Sequence, residues 1–355
     1  MNTKYRYLLS SDLELSNLDT SSDDNLDIIS STERRWRQFS CLFGTSFVIF
    51  ISLIAIFALG RHLGYEDATS KPNRCIDPSF RSEWRTLSRQ EKLDYIEAVK
   101  CLTRMTSVLT GNGTIHDDFA FVHNKHGHSA HGKAPFLPWH RRFIFIYEKY
   151  LQDKCSYKGA LPYWDWTLDW ENFPESPIFS SVTGFGGNGN QSAPHSVGEG
   201  HCVTDGPFAD WRPLYYGSNS QPHCLSRGIT DFAGTSVSLK VVQDILRERD
   251  YETFFLALER GPHDMAPNGI RGEFFNFTAP NDPIFYLHHA QLDRLWFIWQ
   301  KRDEKTRLTN YSGSSDENAS LNDILNMEGL EEENVRVSQV MGTQGGGLCY
   351  QYSLT

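Results

Sequence analysis

The sequence predicts a mainly α-helical fold: a four-helix-bundle core around a metal site, joined by long loops and preceded by a single N-terminal transmembrane helix. Three observations lead there. Apolar residues recur at helical spacing in several stretches, two histidine clusters lie in or beside those stretches, and an uncharged apolar run precedes them all. With 355 residues the chain has room for one domain of roughly 250–280 residues plus appendages. Its net charge of −10 argues against a nucleic-acid partner, which would call for basic patches.

Residues 1–37 are rich in Ser, Asp and Asn and lack a sustained apolar period, which predicts a disordered tail. The run 38–60 contains no charged residue, and its 23 residues suffice to cross a ~30 Å hydrocarbon core. Arg34, Arg35 and Arg37 precede it and only Arg61 follows closely, so it reads as a signal anchor. That makes the chain a single-pass type II membrane protein, with a cytoplasmic tail and a lumenal or extracellular domain. Residues 61–73 form a stem and 74–355 the folded domain. Five sequons, at Asn112, Asn190, Asn276, Asn310 and Asn318, all follow the run and are expected to carry glycans. Six cysteines also follow it, an even number that suits up to three disulfides in any of 15 pairings. Cys41 lies within the apolar run and is expected to be unpaired.

Ser88-Arg-Gln-Glu91 is a capping box that opens a helix through Leu102. From Trp139 to Gln152, Phe143, Ile146, Tyr147, Tyr150 and Leu151 make one apolar helical face. A further helix is expected from Val241 to Glu259, and Asp282-Pro283 supplies an N-cap and N1 pair for a helix through Trp299. The stretch 180–235, rich in Gly, Ser, Asn and Pro, predicts a long disulfide-clipped loop. Residues 302–355 predict turns and short strands.

The chemistry lies in the histidines. His123, His131 and His140 are eight and nine residues apart, and a loop between two helices would bring their imidazoles to one point. His263 precedes His289 by 26 residues, and His289 lies in the last strong helical pattern. Imidazole-only clusters, without thiolate or carboxylate, suit copper. Two of them face to face would make a dicopper site for O2 chemistry. On the last helix Asp293 shares a face with His289, placed to receive a ring N–H or to orient an arginine. Neighbouring His288 points about 100° away from His289.

From about Cys75 onward the chain resembles the tyrosinase/polyphenol-oxidase family of type-3 copper proteins, particularly its fungal tyrosinase-like members. The stretches CIDPSFRSEWRTLS, FLPWHRRF, LPYWDWTLDW and NDPIFYLHHAQLDRLW carry the resemblance. It implies a first copper on His123, His131 and His140 and a second on His263 and His289, with His289 rather than His288 as the ligand. It also implies O2 as co-substrate and a phenol or catechol leaving as an o-quinone. Glu259, four residues before His263, matches the carboxylate that holds a water for the phenolic proton. Asp264 stands where true tyrosinases commonly carry Asn, and an anion there favours catechol oxidation over phenol hydroxylation.

One position departs from the family. Pro267 stands four residues after His263, where a second histidine is usual, and proline offers no donor atom. The second copper is thus one ligand short, and His288, His126, His128, His201 or His223 are candidates to complete it. The leading reading is a membrane-anchored copper oxidase of a small phenolic substrate or a tyrosine-containing peptide, in fungal secondary metabolism. The alternatives are a degenerate relative with one copper or none, acting as a non-catalytic partner, and a copper- or O2-binding module.

Overall fold

A computed structural model describes residues 75–313, 319–331 and 333–354. The capping box at Ser88 forms and starts α1 (Arg89–Leu102). A second box, Thr114 with Asp117, starts α2 (Ile115–Ala130). The helix α3 (Phe136–Cys155) extends beyond its predicted ends, with Pro138 tolerated in its first turn where helix N–H groups are unpaired anyway. It packs against α1, α2 and the last core helix.

The helix expected over 241–259 is broken. Two shorter ones, α4 (Leu239–Ile245) and α5 (Tyr251–Leu258), replace it. Asp250 caps α5 by accepting the Thr253 N–H at 2.9 Å. The carbonyls freed at the break are taken from elsewhere: Trp299 Nε1 donates to Glu248 O at 2.7 Å, and Arg302 donates to Leu246 O at 2.6 Å. A widened π turn (Glu259–His263) then leads into α6 (Asp264–Ile270), which contains Pro267. The proline is the fourth residue of α6, directly after the wide turn, and offers no N–H to the His263 carbonyl four residues back.

The helix α7 (Ile284–Lys301) starts where the Asp282 carboxylate accepts the Ile284 N–H at 3.0 Å. It is buried almost all round, as befits a central helix. Tyr286 stacks on Tyr147 of α3, ring centres 3.4 Å apart. Beyond the helices are three short strand pairs. β1 (Ser79–Arg81) runs parallel to β6 (Tyr350–Tyr352), while β2 (His201–Cys202) and β4 (Ile324–Leu325) pair antiparallel with β3 (Ser226–Arg227) and β5 (Val335–Arg336).

The six cysteines resolve into Cys75–Cys349, Cys101–Cys155 and Cys202–Cys224; Cys41 lies outside the described residues. The third bond clips the long loop, as the composition predicts. Buried Arg227 then fixes that loop to the start of α7, with Nε and Nη2 donating to Asp282 at 2.7 and 3.0 Å.

The membrane part of the expectation is corrected. Among the described residues no helix is long and apolar enough to cross a membrane, so the type II placement is not supported. The longest helices carry residue types that a bilayer core disfavours, among them Arg141, Glu148 and Lys149 on α3 and Asp293 and Arg294 on α7. The tail, the run 38–60 and the stem all lie outside the described residues.

Candidate metal centre

Two of the first three histidines stand on helices rather than in the connection between them. His123 is on the inner face of α2, His140 is near the start of α3, and His131 is the residue where α2 ends. At His131 the backbone leaves the helix (φ −115°, ψ 146°), which turns the third imidazole back towards the other two.

Each ring is held the same way. Nδ1 of His123 meets Phe277 O at 2.5 Å, that of His131 meets Gly127 O at 2.8 Å, and that of His140 meets Phe136 O at 2.7 Å. A carbonyl only accepts, so every Nδ1 carries the proton and every Nε2 presents a lone pair. The Nε2 atoms of His123 and His140 lie 3.2 Å apart. Two lone pairs aimed at each other need a cation between or beside them. Burial pushes His123 down to about 4, and burial together with the neighbouring imidazoles pushes His131 and His140 well below the ordinary value. All three are therefore neutral at neutral pH, the form that binds a metal. The donor set and its geometry fit copper.

The second cluster is larger than the resemblance implies. His263, His288 and His289 each offer a nitrogen, and these nitrogens lie within 4.8 Å of one another. His263 comes from the end of the π turn, where Asp264 Oδ1 accepts its Nδ1–H at 2.9 Å. Asp264 thereby does for His263 what main-chain carbonyls do in the first cluster. The clusters adjoin: His140 stacks on His289 with ring centres 4.3 Å apart, and His131 lies 5.4 Å from His263.

The other candidate histidines are engaged elsewhere. His126 pairs with Glu328 at 3.0 Å, His201 with Ala193 O at 2.8 Å and His223 with Glu273 at 3.1 Å, while His128 packs on Phe277. Asp293 does not serve a histidine ring either. It accepts hydrogen bonds from Arg81, Arg141, Tyr350 and Tyr352, the arginine-orienting alternative of the two weighed from sequence.

Both clusters open on a cavity of about 690 Å3 that is also lined by Glu259, Asp264, Phe277 and Phe285. Glu259 Oε1 accepts the Gly132 N–H at 2.7 Å, while Oε2 is buried without a partner. Burial raises its pKa, opposed by His263 and Gly132 and reinforced by the charge of Asp264. Phe277, which sequence reasoning missed, covers His131 at 5.2 Å between ring centres and supplies the carbonyl for His123. A trace of it is Gly127, where a Cβ would come within 2.5 Å of the Phe277 ring. Of the sequons, Asn112 and Asn190 are exposed, Asn310 is half-buried, Asn276 lies at the cavity edge, and Asn318 is outside the described residues.

Known proteins resemble this chain in sequence and in fold. A family profile, the common central domain of tyrosinase, matches residues 113–302. Tyrosinase-like protein phomQ1' of Diaporthe leptostromiformis is 43% identical over 311 residues, covering 80% of this chain and 82% of its own. Tyrosinase ustQ of Aspergillus flavus is 43% identical over 314 residues, covering 85% and 87%. A mutant of polyphenol oxidase from Thermothelomyces thermophila superposes with a TM-score of 0.71 at 29% identity, over 82% of this chain and 93% of the other.

Proposed function

The chain belongs to the tyrosinase family of copper oxidoreductases, and we propose that it oxidises a phenolic or catecholic substrate with O2 as a tailoring step in fungal secondary metabolism. The observation that carries this reading is the facing pair of imidazole clusters on one cavity. His123, His131 and His140 would hold the first copper, and His263 and His289 would hold the second. Bound copper supplies the O2 activation and the electron acceptance that no side chain here can supply.

The rest falls to the protein. Phe277 and Phe285 give the cavity aromatic walls against which a phenol ring can lie, and its volume is in the range of small-molecule sites. A tyrosine side chain of a peptide has the same reacting ring and suits the same walls. Oxidation of a catechol releases two protons and two electrons, all of which end in water as O2 is reduced. Glu259 Oε2, unpartnered at the cavity, takes the phenolic proton. Asp264 accepts the His263 Nδ1–H and is not free to share that task.

Pro267 supports a second reading, a relative that binds one copper and is not catalytic. Elemental analysis of copper per chain, with quinone formation measured on the same samples, separates the two. The wild type is expected to hold two coppers and to form quinone. His140→Ala is expected to lose about one copper and the activity. An unchanged copper content in that variant would show the first ligand set to be wrong.

A further inference from the structure

Beyond the ligands implied by the resemblance, we propose that His288 is the third ligand of the second copper, replacing the donor that Pro267 cannot provide. This rests on the dicopper reading above. Adjacent helix residues diverge by about 100°, so on an isolated helix His288 and His289 would face different surroundings. Here His263 approaches α7 from the π turn and stands between them. The ring centres of His263, His288 and His289 form a nearly equilateral triangle with sides of 5.3, 5.3 and 5.7 Å. The first cluster's triangle has sides of 4.8, 5.2 and 5.3 Å. Three imidazoles bound trigonally at about 2.1 Å through nitrogen, with ring centres about 1 Å beyond, would have centres about 5.4 Å apart. Both triangles are therefore of metal-binding size.

A second observation is independent of that geometry. His288 is 0% exposed, and neither ring nitrogen reaches hydrogen-bond geometry with any described group. Buried polar groups are normally paired, and an imidazole left with both nitrogens unmatched has an unmet requirement. The ring lines the same cavity as His263 and His289, with Trp166 and Phe274 beyond it, neither of which offers an acceptor. A cation at the centre of the triangle satisfies it.

Copper-loaded crystals of the wild type, measured at the copper absorption edge, test this without any substitution. The expected result is two anomalous peaks, the second within about 2 Å of a nitrogen of His288 as well as of His263 and His289. A second peak bound by His263 and His289 but lying more than about 3 Å from His288 overturns the proposal, as does an empty second site. No copper at His123, His131 and His140 would instead overturn the oxidase reading itself. In solution, His288→Phe should keep the first copper and lose the second, and Pro267→His in that background should restore part of it. Retention of two coppers by a folded His288→Phe protein refutes the assignment. Should that variant fail to fold, the wild-type crystal decides.

Discussion

Asp293→Ala should be among the most destabilising single changes in this protein while leaving both copper sites chemically intact. The carboxylate is 4% exposed and accepts four hydrogen bonds: from Arg141 Nε at 2.5 Å, from Arg81 Nη1 at 3.3 Å, and from the hydroxyls of Tyr350 and Tyr352 at 2.7 Å each. Truncation leaves Arg81 with Glu148 but removes the only carboxylate described on Arg141, which keeps Gln300 and the Val340 and Met341 carbonyls. Breaking one side of a buried ion pair costs about 3–5 kcal/mol. Each orphaned hydroxyl adds up to about 1–3 kcal/mol, reduced here because Tyr352 still accepts from Arg81. The terms overlap, so the expected loss is about 4–6 kcal/mol, a large share of ordinary domain stability. Urea unfolding of the metal-free protein measures it. Replacing both partners, as Arg141→Met with Asp293→Leu, should cost at least about 1 kcal/mol less than the sum of the single changes, because no buried charge is then left over at that pair. A loss below about 1.5 kcal/mol for Asp293→Ala, or strict additivity in the double variant, would refute the assignment of this cluster as the tie between the β1–β6 pair and the bundle.

Two further outcomes follow from individual residues. Glu259→Gln keeps an acceptor for Gly132 but not the base, so phenol oxidation should fall by about 10²-fold or more with copper content unchanged; equal rates would remove Glu259 from the chemistry. His116 is buried beside Tyr147 and Trp211, away from both clusters, and burial lowers it to about 4. Its folded value is below its unfolded value of about 6.5, so between these pH values the unfolded chain binds the extra proton. Stability should therefore fall as pH drops from 6.5 towards 4, by at most about 1.4 kcal/mol per pH unit from this group. Denaturation of His116→Phe across that range should show a correspondingly shallower slope.

What the sequence by itself determined was local. The box at Ser88 and the apolar spacing after Trp139 specify helices through contacts three and four residues apart, and both helices form. The spacing of His123, His131 and His140 was sufficient for a converging triad because the second half of α2, the residue capping its C-terminus and the start of α3 carry all three. Six cysteines announced three bonds, but pairing Cys75 with Cys349 across 274 residues is decided by the β1–β6 register. The helix expected over 241–259 fails for the same kind of reason: Trp299 and Arg302 of the α7 region, distant in sequence, capture the carbonyls that a continuous helix would have used. His288 shows the limit most plainly. Helical periodicity turns it away from His289, and only the approach of His263 on the π turn places a third imidazole where both can face it. Periodicity is a property of neighbouring residues, whereas a site built from three separate segments exists only once packing has brought their backbones together.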